Sequence, residues 1–216
     1  MRVPASRQPG LTFIFVTMLL AMTGVGLLIP VLPRLVVQFS GNDMTAGAHV
    51  YGWLLGIFSL MQFFASPILG ALSDRFGRRR IILIATAGSA IDYTIMANAP
   101  TLGWLFLARM ISGATAGILA TANAYVVDVT PPEKRAGAFG MINAAFGLGI
   151  MLGPPLGGLL GNINIHLPFW FAAACSAMNW IWGFLVLPES LPPTQRRPVA
   201  WKRANPIGAL LALRRF

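Results

Sequence analysis

Two ionisable side chains stand inside long apolar runs, Asp92 in Ile91-Asp92-Tyr93 and Arg109 in Ala108-Arg109-Met110. At the centre of a membrane helix either costs about 2.5–3.5 kcal/mol, so each calls for a partner or a polar cavity. They can pair across neighbouring helices and do no more than order them. Alternatively, the carboxyl exchanges a proton. A nearby cation favours the carboxylate and apolar surroundings favour the neutral acid, so an acid held between the two suits proton coupling. Gln62, Asn123 and Asn143 are uncharged polar residues in other apolar runs. Each could hydrogen-bond a small molecule or a neighbouring helix. Bond-making chemistry has no such foothold. His49 and His166 are isolated, so no metal cluster is expected. No Gly-x-x-x-x-Gly-Lys loop is present, which argues against nucleotide drive. The single Cys175 lies in an apolar run and reads as a packing residue outside any disulfide framework. No cofactor is expected, and the chain does not read as an enzyme.

The elements that hold these residues are set by where the charge is. The 216-residue chain is 56% hydrophobic and only 10% charged, with a mean hydropathy of +0.70. Yet Asp74, Arg75, Arg78, Arg79 and Arg80 crowd one loop, Gly70-Ala71-Leu72-Ser73-Asp74-Arg75-Phe76-Gly77-Arg78-Arg79-Arg80. A bilayer imposes this confinement, because charge is tolerated only between spans. The net charge of +10 could suggest nucleic acid, but the apolar content argues for membrane-flanking loops instead.

Six apolar runs approach the ~20 residues that cross a bilayer. They fall at about 11–33, 51–72, 81–98, 102–127, 137–160 and 168–187. The first follows Arg2 and Arg7, exceeds a signal-peptide core and lacks a clear cleavage site, so it reads as an uncleaved span. Connections are short except for a loop expected at 34–50. The expected organisation is a terminal segment 1–10, a six-helix bundle 11–187 and a basic segment 188–216. In the last, the apolar stretch 206–216 is too short to span and suits an interfacial helix or the front of a truncated element. With the N-terminus inside, fourteen of the 16 basic residues fall on the inner side, Arg34 falls outside and Arg109 within a span. The expected topology therefore has both termini cytoplasmic.

Small residues mark two spans. Gly113 and Gly117 share one helix face in the fourth, as do Gly149 and Gly153 in the fifth, where Pro154, Pro155, Gly157 and Gly158 follow. Such faces let backbones approach closely. Static packing and a moving contact stay open for Gly113 and Gly117. The proline-glycine cluster predicts a bend that matters where two bundles meet.

Taken in order, these motifs resemble the major facilitator superfamily, and within it the tetracycline-type drug/proton antiporters. Gly70-x-x-x-Asp74-Arg75-x-Gly77-Arg78-Arg79 is similar to the loop between the second and third helices. Arg109-x-x-x-Gly113 resembles the fourth-helix motif. Gly149-x-x-x-Gly153-Pro154-x-x-Gly157-Gly158 resembles the antiporter signature of the fifth. The resemblance covers nearly all of 11–190. It implies an all-α integral membrane fold and secondary transport, with proton-coupled efflux of a drug-like compound. It also implies a bacterial plasma membrane location. Carried over, Asp92 matches an essential intramembrane acid and Arg109 the charge tied to proton coupling. Gln62 and Asn123 join them as candidate substrate contacts. Asp74 resembles an acid that caps a helix of a second bundle, and Arg78 with Asp128 a latch pair. Simple topology anchoring by the basic loop is compatible with that role.

Two departures matter. The relatives commonly carry an acid early in the first helix, where Leu19-Leu20-Ala21 stands here, which weakens the case for a metal–tetracycline substrate. The superfamily also has twelve spans in two halves with substrate between them. This chain reads as one half plus the start of a central loop, and a second six-helix half is the implied partner. A metabolite carrier of the same fold, and a half-length product without transport of its own, remain alternatives.

Overall fold

In a computed structural model, residues 8–196 are described. Arg2, Arg7 and everything from Arg197 onward, including Lys202, Arg203 and the stretch 206–216, lie outside the described residues. Seven helices follow one another: α1 Gln8–Phe39, α2 Met44–Phe76, α3 Arg78–Ala97, α4 Leu102–Thr115, α5 Ile118–Val129, α6 Arg135–Ile163 and α7 Leu167–Val186. Short 3₁₀ turns lie at Pro132–Lys134 and Pro193–Gln195. Together α4 and α5 make one crossing, so six spans are long and apolar enough for a membrane. The chain is an all-α, multi-pass integral membrane bundle. Helices are the solution the bilayer permits, because each backbone N–H and C=O finds its partner within its own segment.

The expected loop at 34–50 is far shorter than the sequence suggests. Helix α1 runs on through Pro30 and Pro33 to Phe39, because Leu35 and Val36 remain buried. The reversal occupies only 40–43, with Gly41 and Asn42 at φ 68° and 63°. Asp43 then caps α2, its Oδ1 accepting from the N–H groups of Thr45 at 2.8 Å and Ala46 at 3.1 Å. At the other end of α2 the connection to α3 is the single residue Gly77, at φ 103°. No L side chain adopts that conformation readily.

The fourth span is discontinuous, where the sequence predicts one helix. It breaks at Ala116 and Gly117. Gly117 N–H bonds back to Thr115 C=O at 2.7 Å rather than continuing the ladder. Both glycines of the fourth-span motif face α2. A Cβ at Gly113 would lie 2.7 Å from Met61 Cβ, and one at Gly117 would lie 2.8 Å from Leu69 Cβ.

The expectation for the fifth span changes more. Helix α6 continues through Pro154 and Pro155, and its glycine face packs within the bundle against α1. A Cβ on Gly26 would sit 2.8 Å from Gly153 Cα and 3.1 Å from Pro154 Cδ. A Cβ on Gly149 would meet Met22 Cβ at 2.7 Å, and one on Gly157 would meet Leu27 C=O at 2.6 Å. The small residues thus serve backbone contact between α1 and α6, while Gly158 faces open space and Pro155 is exposed.

Two apolar clusters fill the interior. One gathers Phe13, Ile14, Ile82, Tyr125, Val126 and Leu187 near the end that carries the charged loop. The other gathers Leu32, Leu35, Leu54, Met96, Leu105 and Phe169 toward the opposite end.

Candidate functional site

Asp92 on α3 and Arg109 on α4 meet inside the bundle. Arg109 Nη2 donates to Asp92 Oδ2 at 2.6 Å and Oδ1 at 2.9 Å, and to Met96 Sδ at 3.1 Å. The guanidinium also lies 5.6 Å from the Phe58 ring centroid, a cation–π contact. Asp92 is 1% exposed and Arg109 5%. Each charge makes the other's burial tolerable, and removing one partner of such a pair commonly costs about 3–5 kcal/mol. Only one corner of the guanidinium is used, since Arg109 Nε is buried without a hydrogen-bond partner.

Beside the pair opens a cavity of about 330 Å³. Its wall is apolar along α1 (Leu28, Ile29), mixed along α2, where Leu55 and Phe58 stand with Tyr51 and Gln62, and carries polar groups along α3 and α4. The polar groups are Tyr51, Gln62, Ser89, Tyr93, Arg109, Ser112 and Thr115. Arg109 lines this space and Asp92 does not, so the cavity meets the guanidinium in front and the carboxylate sits behind it. Three of the four expected site residues therefore come together. The fourth, Asn123, does not line the cavity. The break at Gly117 resets the helix, and α5 buries Thr121, Ala122, Tyr125 and Val126 while Asn123 is half-buried. Asn143 is exposed on α6.

At the charged end Arg78 is the hub. Its Nη1 lies 2.5 Å from Asp74 Oδ1 and donates to Ser73 Oγ at 2.6 Å, and its Nε pairs with Asp128 Oδ2 at 3.2 Å. Arg78 and Asp128, which the resemblance pairs, are thus in contact. Asp74 is half-exposed, and Gly70 has open space over its Cα. Arg75 lies over the Phe76 ring, and Arg79 donates to the Phe184 carbonyl.

Glu189 is the residue here that sequence reasoning missed. Its Oε1 accepts from the backbone N–H groups of Arg78 at 2.8 Å and Arg79 at 3.5 Å, the first turn of α3. A carboxylate at that position answers the unpaired N–H groups and the positive end of the helix. Neighbouring groups fasten the same segment. Ser190 Oγ donates to Asp128 Oδ2 at 3.0 Å, and Tyr125 OH donates to Pro188 C=O at 3.2 Å. The only signal in the chain was an acid placed just after the last apolar run.

The sequence model of the Major Facilitator Superfamily matches residues 14–216. Tetracycline resistance protein, class C, of Escherichia coli is 44% identical over 193 residues, 89% of this chain and 48% of that protein. Multidrug resistance protein 1 of Bacillus subtilis (strain 168) is 32% identical over 188 residues, 86% of this chain and 47% of that protein. Among solved structures, the human organic anion transporter MFSD10 (TETRAN) is similar at a TM-score of 0.78 and 28% identity, over 90% of this chain and 50% of that one. The chain spans about half the length of the curated relatives it matches.

Proposed function

Because the chain belongs to the major facilitator superfamily, a family of membrane carriers and not of enzymes, we propose that it forms one half of a proton-coupled exporter of drug-like compounds, tetracycline-type in its relationships. The carrying observation is the buried Asp92–Arg109 pair set against the 330 Å³ cavity. Protonation of Asp92 removes the charge that holds Arg109 and changes what the guanidinium offers to the cavity. A proton is thereby exchanged for a change at the substrate wall, which is the linkage an antiporter needs.

The remaining parts of the reading follow from charge and length. Basic residues concentrate at the end that carries 74–80, which we assign to the cytoplasm of a bacterial plasma membrane, with both termini inside. Residues 11–187 supply one side of the transport path, 188–216 begin the connection to a second six-helix half, and that half supplies the other side.

One observation favours a second reading of the substrate. Ala21, standing where relatives commonly have an acid, lines the cavity itself. The described wall holds a guanidinium and no carboxylate, so a metal chelate finds no anionic ligand on it. A metal-free drug, or a metabolite carried by the same fold, suits this wall better.

The test is efflux from proteoliposomes containing the complete transporter, under an imposed pH gradient. Asp92→Asn should accumulate in the membrane, exchange substrate and lose its response to the gradient. Full proton-driven efflux by a well-expressed Asp92→Asn protein would refute the coupling role.

A further inference from the structure

Away from the ion pair, polar side chains from three helices meet inside the apolar bundle. Thr17 of α1 is 1% exposed, Thr86 of α3 4% and Asn179 of α7 5%. Thr17 Oγ1 donates to Asn179 Oδ1 at 3.1 Å. With Ser89 and Ser176 these residues line a niche of about 10 Å³. Ala21, Ser89 and Ile118 belong to its wall and also to the wall of the large cavity, so the two spaces adjoin.

The niche presents both halves of a hydrogen-bonding site. Thr86 and Ser89 donate to carbonyls of their own helix, at Ile82, Leu83 and Ala85. Their hydroxyl protons are engaged and their lone pairs remain. Asn179 has one hydrogen bond among the described residues, through Oδ1, which leaves the two N–H groups of its amide. Turning the amide over would present its oxygen instead, so either orientation keeps a polar atom there. A buried water needs roughly 10–15 Å³ and two to four polar partners. Its oxygen can accept from the Asn179 amide while its protons go to hydroxyl lone pairs.

We propose that this niche is a water site and that its water belongs to a proton relay serving Asp92, an inference that rests on the proton-coupled reading above. Ser89 lies one helical turn from Asp92 along α3, on the wall common to the niche and the cavity. When the Arg109 guanidinium that stands between Asp92 and the cavity moves aside, a proton leaving the carboxyl passes to water in the cavity and then to the niche water. That water releases one of its own protons onward. Asp92 is left as the carboxylate that pairs with Arg109, and no group is consumed. Toward the charged end, one turn further along each helix, stand Phe13, Ile82 and Trp182. Phe13 and Trp182 meet edge to face at 5.2 Å. This apolar plug closes the route in the present conformation, as alternating access requires.

Two measurements test the proposal. Water-edited solid-state NMR on the chain in lipid bilayers, with ¹⁵N-labelled asparagine, should show magnetisation passing from water to the Asn179 side-chain amide. No transfer at Asn179 overturns the water site. Thr17→Val with Asn179→Leu removes both polar partners together, a change that can be nearly neutral for stability. In proteoliposomes of the complete transporter this double variant should lose proton-driven transport about tenfold or more and keep proton-independent substrate exchange. Unchanged proton-driven transport, or equal loss of both activities, overturns the relay. A wild-type transporter that ignores the pH gradient would instead overturn the coupled reading, and the NMR result would still decide the niche.

Discussion

The carboxylate of Glu189 occupies the space that a side chain at Gly77 would need. One residue comes from the segment just after α7 and the other from the turn between α2 and α3, so the exit of the sixth span is fastened to the joint between the second and third. Gly77→Ala should displace the carboxylate and also strain a backbone at φ 103°. Glu189→Ala removes the cap alone and should cost about 1 kcal/mol. Hydrogen exchange at the Arg78 and Arg79 amides should rise in both variants. Unchanged protection in Glu189→Ala would show that the cap is idle.

Asp74 pairs with Arg78 while half-exposed, far along the helix from the cavity. Asp74→Asn should therefore reduce transport by the complete protein and leave substrate affinity within about twofold of wild type, a difference of under ~0.5 kcal/mol. Equilibrium binding and initial transport rates, measured on the same preparation, separate gating from recognition. Parallel loss of both would place Asp74 in binding.

Arg109→Gln leaves the Asp92 carboxylate buried without its cation. The expected loss of stability is about 3–5 kcal/mol. Asp92→Asn added to Arg109→Gln should recover most of it, because two neutral amides replace an orphaned charge. Thermal unfolding in detergent at fixed pH reads the difference. Additive losses in the double variant would mean the two residues do not depend on each other for stability.

Gly153 and Gly158 lie on one helix and should respond in opposite ways. Gly153→Leu drives a side chain into the backbone of Gly26 and should abolish accumulation in the membrane. Gly158→Ala meets nothing within 4 Å and should be tolerated. Quantitative immunoblots of membrane fractions compare them. Equal abundance would remove the α1–α6 contact as a determinant of folding.

Topology can be read by thiol labelling in a Cys175→Ala background. A cysteine at Asn42 should react with an impermeant reagent added outside intact cells, and one at Arg80 only after the cells are opened. Outside labelling at Arg80 would invert the assigned orientation.

How far the sequence led depends on the kind of information each feature needs. Asp92 and Arg109 were legible because an ionisable group in an apolar run is conspicuous whatever its neighbours are. The six crossings were legible for the same reason, since hydropathy accumulates over many residues. Hydropathy does not report continuity, so the break at Gly117 passed unseen, as did the persistence of α1 beyond Pro33. Asn123 and Asn179 look alike in sequence, each a lone amide in an apolar run. Their fates are set by helix rotation, which only the packed neighbours determine. Glu189 acts on backbone N–H groups more than a hundred residues away, and backbone carries no sequence signature to match.

The one-residue connection at Gly77 has a mechanical consequence. Any change of angle between α2 and α3 at this end runs through a single φ and a single ψ. Helix α2 holds 33 residues, so at a rise of about 1.5 Å per residue it is an arm of roughly 50 Å. A swing of about 10° at that joint, carried rigidly, would move the far end by roughly 9 Å. Three hydrogen-bonding groups, the Arg78 and Arg79 amides and the Glu189 carboxylate, thus sit at the fulcrum of a long lever, where a small local rearrangement becomes a large displacement at the far end.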